Sequence, residues 1–163
     1  MTTFNSFKGI ITMIDEFYIG TPKEEGCYKL MTIQNNDSNI VNFVISPHTF
    51  FVDYFMMNIG DLVEGFYDAN APVPLIYPPQ YRALVVALLD PIISIKVDYF
   101  NEYLLSSDGS LRLNISPYTE VTQENGQLFT GNLSNHNLIV MYNFTTRSIP
   151  AQTSPERIIV LCR

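Results

Sequence analysis

The sequence predicts a mainly all-β fold made of two tandem small units, and three observations carry that expectation. Short apolar runs rich in Val, Ile, Phe and Tyr alternate with Pro, Gly and Asn, the pattern of strands joined by turns. One ordered set of markers occurs twice along the chain. The aromatic share of 13% comes entirely from Phe and Tyr, residues that suit a pleated surface.

The markers keep their order, and order is what chance matches lack. Ile45-Ser46-Pro47-His48-Thr49 returns as Ile115-Ser116-Pro117-Tyr118-Thr119. Ile76-Tyr77-Pro78-Pro79-Gln80 returns as Ser148-Ile149-Pro150-Ala151-Gln152, each followed by a short apolar run, Ala83 to Leu89 and Arg157 to Leu161. Between them, Leu62 to Asp68 matches Leu138 to Asn143 with a gap, and Ile14-Asp15-Glu16-Phe17 resembles Val97-Asp98-Tyr99-Phe100 upstream. An extra polar stretch around Gly20 to Asn39 accounts for the drift in spacing. The expected units are residues 1–89 and 90–163, packed rigidly because the Leu89-Asp90-Pro91 junction is too short for a free linker.

Taken in order, Lys8 to Phe17 is nearly continuously apolar and β-branched, Cys27 to Gln34 alternates loosely, and Ile40 to Ile45 is a short strand run. Asn35-Asn36-Asp37 between the last two is turn chemistry, since Asn and Asp tolerate left-handed backbone and bond their own main chain. Ser107-Asp108-Gly109-Ser110 does the same in the second copy as a hairpin signal. One short helix is expected over Thr49 to Met57, punctuated by Ser46-Pro47 and Gly60-Asp61. Three strands, a short helix and two strands is the order of an OB-like barrel. In the second copy the helix position, Glu120 to Gly131, reads as strand and loop.

The chain has 163 residues and is 47% apolar but only 15% charged, against about 25% charged for a usual domain. So little surface charge points to neutral or apolar surface covered by a protein partner or a second copy. Net charge is −7, and the nine cations are scattered. General nucleic-acid binding is therefore disfavoured, because non-specific affinity comes from neutralising phosphates. Anionic membrane surfaces are disfavoured likewise. Cys27 and Cys162 are too few for a disulfide scaffold and read as buried small hydrophobes. The sequence shows neither a secretory signal nor an apolar run of about 18–20 residues, so membrane insertion is not expected and a cytoplasmic protein is.

Gly60-Asp61-Leu62-Val63-Glu64-Gly65-Phe66-Tyr67-Asp68, then Pro72-x-Pro74 and Tyr77-Pro78-Pro79-Gln80, resembles small β-barrel, OB-like domains of uncharacterised proteins from low-GC Gram-positive bacteria. Thr146 to Thr153 before a final Ile/Val strand is similar. The shared motifs are structural, a Gly-Asp turn into a strand and a Pro-rich connection. The resemblance implies no catalytic residue.

Chemical motifs are sparse. His48 takes the place of Tyr118 in the repeat and reads as a packing or turn position; His136, between two Asn, reads as an exposed loop residue. Neither has a second His or Cys at metal-ligand spacing. Adjacent Asp15 and Glu16 would point to opposite faces of a strand, and Lys23-Glu24-Glu25 reads as a solvated loop. No phosphate loop, nucleophile elbow or calcium loop is spelled out. No catalytic, cofactor or metal residue is expected. What remains is a candidate recognition surface of Tyr67, Asp68, Asn70, Tyr77, Gln80, Tyr81 and Arg82 in the first unit and Tyr142, Asn143, Arg147 and Gln152 in the second, since Tyr and Arg anchor interfaces. The plainer reading is that the Tyr rings cover a barrel end. The expected function is that of a non-catalytic binding or structural protein acting through protein contacts, self-association included, with Phe50, Phe51, Tyr54 and Phe55 as exposed aromatics. The alternative is a module that stacks an oligosaccharide or short single strand on its aromatics.

Overall fold

The computed structural model describes residues 2–163. The fold is all-β, and helix among the described residues is confined to two 3-10 turns, Pro22–Glu24 and Val52–Tyr54. The chain divides into two compact units, Thr2–Leu89 and Asp90–Arg163.

In the first unit, strands β1 (Phe4–Glu16), β2 (Lys29–Gln34), β3 (Ile40–Ile45), β4 (Phe50–Phe51), β5 (Leu62–Asp68), β6 (Gln80–Arg82) and β7 (Val85–Leu88) form one sheet in the order β4-β7-β5-β1-β2-β3-β6. Strand β1 serves two antiparallel partners, β5 along Phe4 to Ile10 and β2 along Ile10 to Glu16. At Gly9 a Cβ would run into the Ile33 side chain and the Gln34 carbonyl, and the register with β2 shifts between Ile11 and Met13. Strand β6 runs parallel to β3, while β7 runs antiparallel to β5. Only Ala83 and Leu84 separate β6 from β7, and their amides donate to Val44 O and Phe66 O respectively. One stretch of chain therefore borders both β3 and β5. The core holds Ile11, Met31, Ile33, Phe43, Val63 and Val86, and Gly65 makes room for Phe43, whose ring would lie 2.6 Å from a Cβ there.

In the second unit, β8 (Ser94–Phe100), β10 (Glu120–Gln123), β11 (His136–Tyr142) and β13 (Arg157–Leu161) form a sheet ordered β10-β13-β11-β8, and β9 (Leu111–Leu113) pairs with β12 (Ala151–Thr153). Single bridges, Phe100 to Ser106 and Leu105 to Arg112, link β8 to β9 through the hairpin that Asp108-Gly109 closes. Its core is Phe100, Leu111, Leu113, Leu138, Val140, Ile158 and Val160.

The same local wiring recurs in both units. Thr49 Oγ1 accepts from Ser46 N at 3.0 Å and donates to Ala83 O at 2.8 Å; Thr119 Oγ1 accepts from Ser116 N at 3.3 Å and donates to Pro155 O at 2.7 Å. His48 N and Tyr118 N each donate to the Ser hydroxyl two residues back at 3.1 Å. Each turn leads into a strand parallel to the last strand of its unit, β4 to β7 and β10 to β13. Tyr77-Pro78 and Ile149-Pro150 are both cis, and each precedes a short strand parallel to β3 or β9.

Several expectations are corrected. Thr49 to Met57 is not a two-turn helix but a short strand and one 3-10 turn: Phe50 and Phe51 pair with Val85 and Val86, and the turn, Val52–Tyr54, contains Asp53 (φ 61°) and Tyr54 (φ 55°) in the left-handed region, which ends right-handed winding. Phe50 is buried and Phe51 and Phe55 are half-buried, leaving only Tyr54 of that group exposed. Both cysteines are exposed, Cys27 in the polar stretch before β2 and Cys162 just past β13. His136 is half-buried at the start of β11, its Nδ1–H directed at Leu133 O and Ser134 O and its ring edge-on to Phe129.

Candidate functional site

Each unit carries a cleft beside a pair of parallel strands, β3 with β6 and β9 with β12. The strand registers set Phe43 opposite Tyr81 and Leu113 opposite Thr153. Val44 therefore corresponds to Asn114, Gln80 to Gln152, Tyr81 to Thr153 and Arg82 to Ser154. Both clefts are lined by these four positions together with the segment that follows β5 or β11.

The first cleft holds about 170 Å³ and is mostly apolar, with Phe17, Ile19, Val44, Pro72, Val73 and Pro74 beside Tyr28, Gln80, Tyr81 and Arg82. Tyr28 is pushed above the ordinary tyrosine value by desolvation and by the Glu24 carboxylate beside it. Arg82 is exposed and has no ion pair among the described residues.

The second cleft holds about 510 Å³ and is lined by amides and hydroxyls: Asn114, Asn143, Thr145, Thr146, Gln152, Thr153 and Ser154, with Phe144 and Glu156. Asn114 Nδ2 donates to Gln152 Oε1 at 3.1 Å and Asn143 Nδ2 to Glu156 Oε1 at 2.7 Å. Thr146 Oγ1 accepts from Gln152 N at 3.0 Å, and Thr153 Oγ1 donates to Phe144 O at 2.5 Å, which fixes the segment after β11 against β12. Phe144 itself is 84% exposed.

Of the residues singled out from sequence, Gln80, Tyr81 and Arg82 line the first cleft and Asn143 and Gln152 the second. Tyr67 is buried and stacks on Tyr81 beside Phe43, so it supports the cleft wall from behind. Burial and the Tyr81 hydroxyl push the Tyr67 phenol up to about 12. Asp68 and Asn70 tie the end of β5 to the N-terminal segment: Asp68 Oδ1 accepts from Thr3 N and Asn70 N, and Asn70 Nδ2 donates to Thr3 Oγ1. Tyr77 and Arg147 are exposed outside both clefts, and Tyr142 is half-buried against the core. Sequence reasoning missed Phe17, Tyr28, Asn114, Phe144, Ser154 and Glu156. Asn114 and Ser154 stand just outside the paired markers, where no motif singles them out.

No group of three or more His, Cys, Asp or Glu among the described residues is placed to hold a metal ion, and no described helix is long and apolar enough to cross a membrane. No family model, curated protein or solved structure matches this chain.

Proposed function

We propose that this is a non-catalytic binding protein that works through protein contacts, with a second copy of itself among its partners. The carrying observation is the segment Pro72–Pro79. Leu75 is 100% exposed there, and Ile76 and Tyr77 beside it are exposed as well. Pro72, Pro74, Pro78 and Pro79 restrict this backbone, so little entropy is lost when it is ordered against a partner. Large apolar side chains left in water on such a rigid segment gain most by being covered.

The scaffold under this reading is a pair of diverged OB-like units. Its support is the pairing order: a three-strand meander β1-β2-β3, β5 returning to β1, and one final stretch that meets β3 with β6 and β5 with β7. The recurring Thr49 and Thr119 wiring supports a duplication. A cytoplasmic setting goes with two exposed free thiols, which stay reduced there.

Light scattering on the purified chain tests the reading. A dimer or larger species that becomes monomeric in Leu75→Asp carrying Ile76→Asp is the expected result. A strict monomer over the whole accessible concentration range, with no partner recovered through the unsubstituted segment, would remove it.

A further inference from the structure

We propose that the second cleft, in the unit Asp90–Arg163, is a binding site for a neutral saccharide. The site is distinct from the Pro-rich segment, and the proposal does not depend on self-association. Its volume of about 510 Å³ lies within the usual range for small-ligand sites, roughly 300–1,000 Å³. The chemistry of its lining then selects the ligand class.

The lining contains no Lys, Arg or His, so an anionic ligand would find no countercharge. Apart from the Glu156 carboxylate, its polar side chains are amides and hydroxyls, which both donate and accept. The Asn114–Gln152 hydrogen bond uses one donor of Asn114 and the oxygen of Gln152. Asn114 Oδ1 and Gln152 Nε2 are left without a partner among the described residues, an acceptor and a donor on neighbouring side chains that already hold each other in place. That pairing matches a hydroxyl pair on adjacent sugar carbons, in which one oxygen donates while the next accepts. Ser154 adds a hydroxyl, and Glu156 is oriented by Asn143. Phe144, 84% exposed at the cleft, offers a face for the C–H side of a pyranose ring, the apolar half of an otherwise polar molecule.

Divergence between the units points the same way. At corresponding positions the first cleft has Val44, Tyr81 and Arg82 where the second has Asn114, Thr153 and Ser154. At these three positions the second cleft has uncharged hydrogen-bonding groups where the first has an apolar group, an aromatic ring and a cation.

Titration of the full chain, labelled with nitrogen-15, against maltotriose, cellotriose and chitotriose tests this by NMR. Saturable shifts of the Asn114, Asn143 and Gln152 side-chain amides with at least one of the three are expected at millimolar sugar. Phe144→Ala, a change at an exposed residue, should weaken that binding about tenfold, the equivalent of about 1.4 kcal/mol, while thermal unfolding stays unchanged. Ser154→Ala should weaken it by a smaller factor. Absence of saturable shifts with all three sugars would overturn the proposal. So would shifts confined to the first unit, or binding indifferent to Phe144→Ala.

Discussion

Tyr67 stacks on Tyr81 with ring centroids 3.9 Å apart and planes 10° from parallel, behind a wall of the first cleft. The Tyr67 phenol, pushed up to about 12 by burial and by the Tyr81 hydroxyl, makes stability depend on alkaline pH. In the unfolded chain the phenol ionises near its ordinary value of 10.0. The stabilisation is therefore fully present below about pH 10 and is lost as pH rises toward about 12. Denaturant unfolding across this window should show stability falling with pH, and Tyr67→Phe should flatten that fall. An unchanged slope in the variant would show that other groups cause it.

Thr49 and Thr119 hold corresponding turns by corresponding bonds, so replacing either should cost about the same. Thr49→Val leaves Ser46 N and Ala83 O without their hydroxyl partner, and Thr119→Val does so for Ser116 N and Pro155 O. Each substitution should destabilise by about 1–2 kcal/mol, measured by chemical denaturation. A loss at only one of the two positions would mean that the matching bonds differ in their energetic role.

Gly65 is a packing requirement of Phe43. A Cβ at residue 65 would sit 2.6 Å from a ring that is itself fully buried. Gly65→Ala should cost about 1–3 kcal/mol through overpacking. Combining it with Phe43→Leu, which removes the ring edge, should restore part of that loss relative to Phe43→Leu alone. Strictly additive effects would argue against this contact.

Asp108 closes the β8–β9 hairpin from its side chain. Partial burial raises its pKa, but the Lys96 ammonium at 2.6 Å, the hydroxyls of Ser106 and Ser110 and the Ser110 amide outweigh that and hold the carboxyl well below the usual range. A depressed folded pKa contributes stability above the ordinary carboxylate pKa, and this is lost as pH falls through the folded value. Asp108→Asn should therefore unfold at lower temperature near neutral pH, and the gap to the parent should narrow below about pH 4. Because the side chain is half exposed, solvent screening limits the pair with Lys96 to about 0.5 kcal/mol.

Much of the strand layout was legible because its signals are local. The β-branched and aromatic residues at Ile40–Ile45, Leu62–Asp68 and Arg157–Leu161 contain their own propensity, and Asp108-Gly109 contains its own turn. The apolar spacing of Thr49–Met57 suits a helix equally well, and its outcome depends on Val85 and Val86 offering a strand edge to Phe50 and Phe51. The candidate site was half legible for a related reason. Gln80, Arg82 and Gln152 stand inside motifs, but Asn114 and Phe144 are ordinary loop residues until β9 and β12 pair beside them.

By itself, the sequence determined the β character of the chain, its acidic and cation-poor surface, and the twice-used Ser-Pro-x-Thr and x-Pro-x-Gln markers. All of these depend on the chemistry of residues a few positions apart. Only the tertiary structure decided which aromatics are buried, that Tyr67 backs Tyr81, and that Asn114, Phe144 and Gln152 share one cleft. Those relationships join segments up to some forty residues apart in sequence, and they exist only once strand pairing fixes which residues face one another.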